Sequence, residues 1–393
     1  MKHLLVLFSM LLLRADLSAQ TTFIRSQDWA SIVENARTNQ KLIFVDAYTD
    51  WCGWCKVMDE KTFSNETIGN IMNQNFINVK LEMEKEDLGK QLAMKYAVSA
   101  FPTYLIFNGK GEMIYQTFGY QEPTAFMTTL FSIINPENHV SRPGYTPGFT
   151  AAYPDFYLNA MGMTKKKKFP EAEEVNEWAT ANKDLSIEAN WTVYKRFYWF
   201  MNASNRNNFW EQMPALDSLY GHDMVADLSL NLLYKATEEE VKENNPAKFE
   251  DLLKSRLPLV DDPREAEKSV RLYYATETQN WKEVNRLLSA LFKEEGAENT
   301  NFWNQKCWDI YEKADDSLLV QNALIWIDEV VKIDPDYNHI DTYAALLFKA
   351  GKLEEAEDKA MQAIGVGKQG NKNVKETEAL LLRIQEARQR NRH

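Results

Sequence analysis

Two cysteines separated by two residues are the most chemically suggestive feature of the sequence. Cys52 and Cys55 lie in the segment Trp51-Cys-Gly-Trp-Cys-Lys56, where a helix-like stretch follows a strand-like one. When the first cysteine of such a pair lies at a helix N-terminus, unpaired backbone N–H groups and the helix dipole favour its thiolate form. The second cysteine, one turn further on, can displace a mixed disulfide formed by the first. The spacing predicts that Cys52 attacks and Cys55 resolves.

Other uses of the two thiols stay open at this point. The pair could form a static disulfide or half of a zinc site, but the sequence has no second Cys-x-x-Cys pair and its histidines are scattered. Copper delivery through the thiols and Met58 is disfavoured, because soft-metal sites usually add a histidine or more methionines. We expect no metal and no cofactor. The third cysteine, Cys307, lies among helix-forming residues, which favours a buried and inert thiol.

The composition limits the classes of partner. The chain has 393 residues, 45% of them hydrophobic and 26% charged, which is enough for two or three globular domains. Its formal net charge is -12, whereas nucleic-acid binding depends on Lys and Arg neutralising phosphates. We therefore expect no nucleic acid as partner.

The N-terminus has the pattern of an export signal. A positive start, Met1-Lys2-His3, precedes the apolar run from Leu4 to Leu13 and the small residues that end at Ala19. Residues 1–19 are predicted to be a signal peptide, which places the protein in the periplasm or outside the cell. No later run reaches the length needed to span a membrane, so we expect no stable membrane span.

Strand and helix patterns alternate over residues 20–135, which predicts an α/β domain. Ser26 is placed to cap the first helix, and the buried strand Leu42–Val45 leads towards the cysteines. Further predicted elements are helices over 66–74 and 86–96, strands over 76–83, 103–107 and 113–118, and a last helix over 123–134.

Residues 136–154 are rich in Pro and Gly and are predicted to be a linker. Residues 155–393 read as helical throughout. Near the C-terminus, small and large residues alternate as in a tetratricopeptide repeat, with Gly351 in the turn between two helices. A second repeat is indicated upstream, ending at Asp334-Pro335. The prediction is an all-α, tetratricopeptide-like α-solenoid.

Four separated segments of the α/β domain together resemble thioredoxin, over about residues 23 to 134. They are Phe44 to Lys56, Val79 to Leu81, Lys95 to Thr103, and Gly119. The helix after Cys55 is more similar to the exported thioredoxin-like branch than to cytosolic thioredoxin. The resemblance implies a thioredoxin-like α/β fold.

The resemblance also implies roles for residues around the cysteines. Asp46 matches the buried carboxylate that helps to move the proton of Cys55, and Lys80 matches the lysine beside it. Pro102 matches the proline whose cis peptide bond faces the sulfurs, and Phe101 would then present its backbone to an extended substrate. Trp54 departs from the family pattern, because thioredoxin has proline there.

We expect Trp51 and Trp54 to contact substrate, with plain packing as the alternative. The predicted function is that of an exported thiol-disulfide oxidoreductase, whose partners are disulfide-containing protein substrates and an upstream thiol redox partner. The rival prediction is an interaction scaffold, in which the helical repeats bind a protein ligand and the thioredoxin-like unit is mainly structural.

Overall fold

The computed structural model of the chain describes residues 20–26, 28–163 and 168–391. The predicted signal peptide, residues 1–19, lies outside the described residues. The chain divides into two compact units, the first ending at Leu232 and the second starting at Leu233.

The first unit contains, within its described residues, a mixed four-stranded sheet. Its strands are β1 (Leu42–Tyr48), β2 (Phe76–Glu82), β3 (Thr103–Phe107) and β4 (Met113–Phe118), in the order β2-β1-β3-β4. Strands β1 and β2 are parallel, whereas β3 runs antiparallel to both β1 and β4. The predicted α/β fold class is confirmed, and β3 and β4 have their predicted bounds.

Helices cover both faces of this sheet. They are α1 (Trp29–Asn39), α2 (Gly53–Val57), α3 (Glu66–Asn75), α4 (Asp87–Lys95) and α5 (Pro123–Ile134), and α2 continues into a π-helical turn, Met58–Phe63. Because strand side chains alternate between faces, Val45 packs with α1 and α4, whereas Phe44 packs with α3 and α5. The predicted cap Ser26 is wrong: the Asp28 side chain accepts the N–H of Ala30 and caps α1 instead.

The remainder of the first unit is helical. After the 3-10 turn Pro136–Asn138 and an irregular stretch come α6 (Asp155–Ala160), α7 (Ala172–Ala181), α8 (Glu188–Phe197), the 3-10 turn Tyr198–Phe200, α9 (Ala203–Tyr220) and α10 (His222–Glu243). Aromatic side chains of these helices, including Tyr157 and Trp191, share one hydrophobic core with α4 and the sheet. The Tyr157 hydroxyl donates to the carbonyl of Met94 at 2.6 Å.

The irregular stretch before α6 is itself packed in this unit. Arg142 is buried, and its guanidinium donates to the Tyr220 carbonyl and, at 2.7 Å, to Asp223. The boundary between the two compact units lies inside α10, between Leu232 and Leu233. The sequence predicts a linker at a different place, over residues 136–154. The predicted domain boundaries stay a prediction.

The second unit consists of helices throughout its described residues. After the rest of α10 come α11 (Pro246–Arg256), the 3-10 turn Leu257–Leu259, α12 (Pro263–Glu277), α13 (Trp281–Glu295), α14 (Thr300–Lys313), α15 (Ser317–Ile333), α16 (Tyr337–Lys349), α17 (Leu353–Gln369) and α18 (Lys375–Arg390). Helix α14 packs on α15, α16 on α17, and α17 on α18.

The repeat pattern predicted near the C-terminus agrees with these helices. Gly351 forms the turn between α16 and α17 with a φ of 74°, a value that favours glycine. The small residues Ala344, Ala356 and Ala360 are fully buried where the two helices meet. The chain is thus an α/β domain followed by a tetratricopeptide-like all-α region.

The membrane prediction concerns helix length and polarity. Of the helices in the described parts of the chain, none combines the length and the apolar character that crossing a bilayer requires.

Candidate redox site

Cys52 is the residue that caps the N-terminus of α2. Its sulfur accepts the backbone N–H of Cys55 at 3.0 Å, and its own N–H donates to the Thr49 carbonyl at 3.0 Å. The first N–H groups of a helix have no acceptor inside the helix, so they can donate to a sulfur placed at the N-terminus and stabilise negative charge on it. The structure pairs Cys52 with Cys55 in a disulfide, and both residues are buried. This arrangement would favour a thiolate at Cys52 after reduction.

A buried carboxylate holds the loop that carries Cys52. Glu82, at the end of β2, accepts the N–H of Asp50 at 3.4 Å, that of Glu84 at 2.8 Å and that of Lys85. The Trp51 indole N–H donates to Glu84 at 2.9 Å. The end of β2 therefore fixes the turn from β1 into α2. Glu82 was not among the site residues predicted from the sequence, because its partners are backbone groups that a sequence does not identify.

Exposed aromatic rings flank the two cysteines. Trp51 is 67% exposed and Trp54 is 61% exposed, which is unusual for such large side chains. The Trp51 ring lies edge-on to Phe101 with centroids 5.8 Å apart, and Trp54 stacks on Tyr120 at 5.4 Å. Contiguous apolar surface of this kind commonly marks an interaction site. The sequence indicated Trp51, Trp54 and Phe101, but gave no signal for Tyr120.

The other predicted residues lie around this surface. The peptide bond between Phe101 and Pro102 is cis, and Pro102 is buried. The carbonyl of Pro102 accepts the N–H of Gly119 at 2.8 Å, which joins the end of β4 to the start of β3. The structure therefore brings the Phe101–Pro102 segment beside the aromatic residues that border the cysteines.

Asp46 and Lys80 form a buried ion pair on the face of the sheet that α3 and α5 cover. Asp46 on β1 is paired in register with Lys80 on β2, and the Lys80 Nζ lies 2.9 Å from the Asp46 Oδ2. Asp46 is only 1% exposed. Burial raises the pKa of Asp46, and the attraction of Lys80 only partly offsets this effect. The structure thus places a carboxyl group with increased proton affinity in β1, the strand that leads into α2.

A second carboxylate, missed by the sequence analysis, reaches the same lysine. Asp59, in the π-helical turn, accepts a hydrogen bond from the Lys80 Nζ, and its side chain is 46% exposed. Burial lowers the pKa of Lys80, but the two carboxylates outweigh burial and raise it above its ordinary value. The available signal was the spacing: Asp59 follows Cys55 by four residues, which places both on one face of a helix.

Cys307 belongs to α14 of the second unit. It is fully buried, as predicted, and its sulfur lies 3.5 Å from the Ala323 carbonyl. Burial raises the pKa of the Cys307 thiol, which keeps it protonated and unreactive.

Comparison with known proteins extends the resemblance found in the sequence. The family Thioredox_DsbH, described as a protein of unknown function, DUF255, matches residues 17–131. The chain is 33% identical over 67 residues to uncharacterized protein B0495.5 of Caenorhabditis elegans, a match that covers 17% of this chain and 9% of that protein. It is 27% identical over 120 residues to thiol:disulfide interchange protein DsbD of Actinobacillus pleuropneumoniae, covering 30% of this chain and 20% of DsbD.

A smaller protein is matched over most of its length. The thioredoxin-like protein slr0233 of Synechocystis sp. is 25% identical over 104 residues, which is 26% of this chain and 92% of that protein. By contrast, the chain spans less than a tenth of the length of B0495.5 and of spermatogenesis-associated protein 20. The matches, the sheet topology and the cysteine pair agree, so the N-terminal part of this chain is a thioredoxin-like domain.

Proposed function

We propose that the protein is an exported thiol-disulfide oxidoreductase that exchanges disulfides with protein substrates through Cys52 and Cys55. The observation that carries this proposal is the hydrogen bond from the Cys55 N–H to the Cys52 sulfur at the N-terminus of α2. It provides the environment in which a cysteine becomes a nucleophile at neutral pH. The similarity to DsbD, a thiol:disulfide interchange protein, supports the same chemistry.

In the reducing direction, the reaction has two steps. The Cys52 thiolate attacks one sulfur of the substrate disulfide, which forms a mixed disulfide and releases the other substrate sulfur as a thiolate that takes up a proton. Cys55 then loses its proton and attacks the Cys52 sulfur, so the second substrate sulfur leaves and the Cys52–Cys55 disulfide forms. Two electrons have passed from the enzyme to the substrate, and a donor thiol protein must return them.

Asp46 is proposed to accept the proton that Cys55 loses. A buried carboxylate with a raised pKa binds a proton more readily than an exposed one, which suits a general base for a thiol. Lys80 favours the ionised form of this carboxylate, since its ammonium lies 2.9 Å away. We assign Lys80 to positioning and charge balance rather than to contact with substrate.

The exposed aromatic residues are proposed to contact the substrate. Trp51 and Trp54 offer flat apolar faces beside the disulfide, and Phe101 offers the backbone edge that precedes Pro102. Such a surface binds a polypeptide around a disulfide with little dependence on its sequence.

Export is proposed from the N-terminal pattern of residues 1–19, with the periplasm or the cell exterior as the destination. N-terminal sequencing of the protein recovered from fractionated cells tests this part. We expect the mature protein outside the cytoplasm, starting at Gln20. Recovery from the cytoplasm with Met1 still present would contradict export.

The activity is tested with the mature full-length chain and two substrates, insulin and a small aromatic disulfide, with dithiothreitol as electron donor. We expect faster insulin reduction than with dithiothreitol alone, and no acceleration by the Cys52→Ser variant. Cys55→Ser is expected to trap protein partners as mixed disulfides in cells, whereas the double serine variant traps none. If wild type accelerates neither reaction and Cys55→Ser traps nothing, the scaffold function is the better explanation.

A further inference from the structure

A cleft of about 340 Å³ lies in the first unit beside the segment that leads to Pro102. One wall contains Ser99 and Ala100, which directly precede Phe101 in the chain, together with Phe118 at the end of β4. The opposite wall comes from the helical part of the unit and includes Lys195 of α8 and Asp227 of α10. We call this space the α10 cleft. The proposed exchange mechanism makes no use of it.

The α10 cleft borders the Phe101–Pro102 segment, because Ala100 and Thr103, on either side of that segment, both line it. Phe118 pairs in register with Thr103, the residue after Pro102, and Gly119 donates its N–H to the Pro102 carbonyl at 2.8 Å. The Phe118 side chain is 61% exposed. A chain bound at Phe101 would therefore meet the mouth of the cleft when it extends past Ala100 and Phe118.

The polar groups of the cleft are suited to a polypeptide. The side-chain carbonyl of Gln116 is buried and has no hydrogen-bond partner in the described structure, so it can accept an N–H from a ligand. Asp227 lies four residues after Asp223 and thus on the same face of α10, and the Asp223 carboxylate is already paired with Arg142. Lys195, whose pKa burial lowers to about 8, adds a group of opposite charge.

Apolar side chains complete the lining. Tyr198, Met224 and Leu228 lie in the same walls as the charged residues. A small charged compound would be best held by converging groups of one sign, whereas this cleft offers both signs, apolar surface and an amide acceptor. A peptide chain presents all the matching groups, namely backbone N–H donors, apolar side chains and both kinds of charge.

We propose that the α10 cleft binds an extended, unfolded segment of the protein substrate that adjoins its disulfide. This inference rests on the proposed function and specifies its substrate class. The helical part of the first unit then forms a second wall of the substrate site, so unfolded proteins are preferred over folded proteins with the same disulfide.

Binding without exchange tests this inference directly. The probe is the insulin B chain, carbamidomethylated at its cysteines and fluorescently labelled, and the protein is the mature full-length chain carrying both Cys52→Ser and Cys55→Ser. Anisotropy titrations then compare this protein with the same chain carrying Gln116→Leu, Asp227→Arg or Glu211→Arg. Gln116→Leu removes no hydrogen bond seen in the free protein, so its folding is expected to be unaffected.

We expect Gln116→Leu to weaken binding about fivefold, the effect of losing one typical hydrogen bond. Asp227→Arg should weaken it at least as much, because it reverses a charge and fills the cleft. Glu211→Arg changes the net charge equally on the exposed surface of α9 and should bind like the parent protein.

Three results would overturn the inference: no binding by the parent protein, equal binding by the parent and both cleft variants, or equal weakening by Glu211→Arg. Failure of the proposed function would be a separate finding, because it would appear as a lack of exchange with the small aromatic disulfide. The anisotropy titration would still show whether the cleft binds the peptide.

Discussion

The Asp46 carboxylate and the Lys80 ammonium lie 2.9 Å apart on neighbouring strands, and both side chains are almost completely shielded from solvent. Removing the Asp46 carboxylate from water is unfavourable, and the attraction of Lys80 offsets this only in part. The raised pKa of Asp46 reflects that balance, because burial outweighs the attraction of Lys80. A structural cost at this position is understandable if the carboxylate serves proton transfer.

The first prediction concerns stability. Because the pKa of Asp46 is raised on folding, the folded state binds its proton more tightly than the unfolded state does. An aspartate in the unfolded chain titrates at about pH 3.9. As the pH rises from this value through the pKa of Asp46 in the folded protein, ionisation of Asp46 lowers the free energy of unfolding. Asp46→Asn removes this charge while Asp59 still compensates the Lys80 ammonium, so we expect the variant to be more stable than wild type at pH 7 and equally stable near pH 3. Urea unfolding at several pH values measures the difference.

The exposed Asp50 is a control, because its pKa shifts in the opposite direction. A hydrogen bond from Lys85 lowers the pKa of Asp50, so ionised Asp50 stabilises the folded state at neutral pH, and this stabilisation is lost on acidification. Asp50→Asn should therefore leave stability at pH 7 unchanged or slightly reduced. An Asp46→Asn variant less stable than wild type at pH 7 would contradict the direction given for Asp46.

The second prediction concerns Asp59 and the pH dependence of the resolving step. Asp59 accepts a hydrogen bond from Lys80, whose ammonium also pairs with Asp46, and the negative charge of Asp59 helps to raise the pKa of Asp46. In Asp59→Asn, Lys80 would interact with Asp46 alone, so the pKa of Asp46 should fall. We expect the rate of mixed-disulfide resolution to reach its plateau at a lower pH than in wild type, measured by stopped-flow after mixing with a substrate disulfide.

Glu60→Gln is the matched control for this shift, because Glu60 is the exposed neighbour of Asp59, whereas it is Asp59 that binds Lys80. It removes the same charge from the same turn. An identical pH profile for Asp59→Asn and wild type would show that Asp59 does not act through Lys80.

The third prediction concerns the exposed aromatic surface. Trp54→Ala removes a large, mostly exposed ring that stacks on the partly buried Tyr120, so little stability should be lost. We expect kcat/KM for insulin to fall about tenfold relative to that for the small disulfide, which is the scale of one interface hot spot. Phe131→Ala removes an equally exposed ring from α5 and should leave this ratio unchanged. A ratio unchanged in Trp54→Ala would assign Trp54 to packing.

The fourth prediction separates the three cysteines by reactivity. Cys307 is buried and its thiol pKa is raised, so iodoacetamide should not modify it in the native protein after reduction with dithiothreitol. Cys52 should be modified first, and Cys307 only in denaturant. Mass spectrometry of peptides over a time course distinguishes the sites. Modification of Cys307 at the native rate of Cys52 would contradict its placement in the core.

Local patterns predicted much of the α/β domain and the centre of its site. Strands β3 and β4 and helix α5 follow from apolar runs bounded by turn residues, and Cys52 and Cys55 follow from their spacing. Asp59 and Glu82 were missed because their importance depends on partners in other elements, namely Lys80 and the loop before Cys52. The cap of α1 was misplaced because Ser26 and Asp28 have the same capping chemistry, and only the backbone selects between them.

The packing of α8 on α4 of the thioredoxin-like domain could not be predicted from sequence patterns either. Lys95 at the end of α4 donates to Glu188 of α8 at 2.6 Å, although 93 residues separate them. Glu188 also accepts the Thr146 N–H at 2.6 Å, and Lys95 donates to the Thr146 carbonyl at 2.8 Å. No periodicity identifies a pair of this separation, so this buried ionic network could not be predicted from the sequence.

This network gives the fifth prediction. Removing one partner of a buried ion pair leaves the other charge without compensation, which typically costs about 3 to 5 kcal/mol. We expect Glu188→Ala to lower the free energy of unfolding of the first unit by that amount and to leave the second unit unaffected. Hydrogen exchange followed by mass spectrometry resolves the two units, because peptides of α4 and α8 should lose protection while those of α16 and α17 keep it.

The exposed pair of Lys268 and Glu294 in the second unit provides the control. Glu294→Ala should change stability far less than Glu188→Ala does, since surface ion pairs contribute little. If Glu188→Ala were as mild as Glu294→Ala, the network would not hold the helical segment on α4. Because Lys95 precedes the Ala97–Pro102 segment, a loosened α4 should also slow exchange with insulin, which would link this packing to the geometry of the redox site.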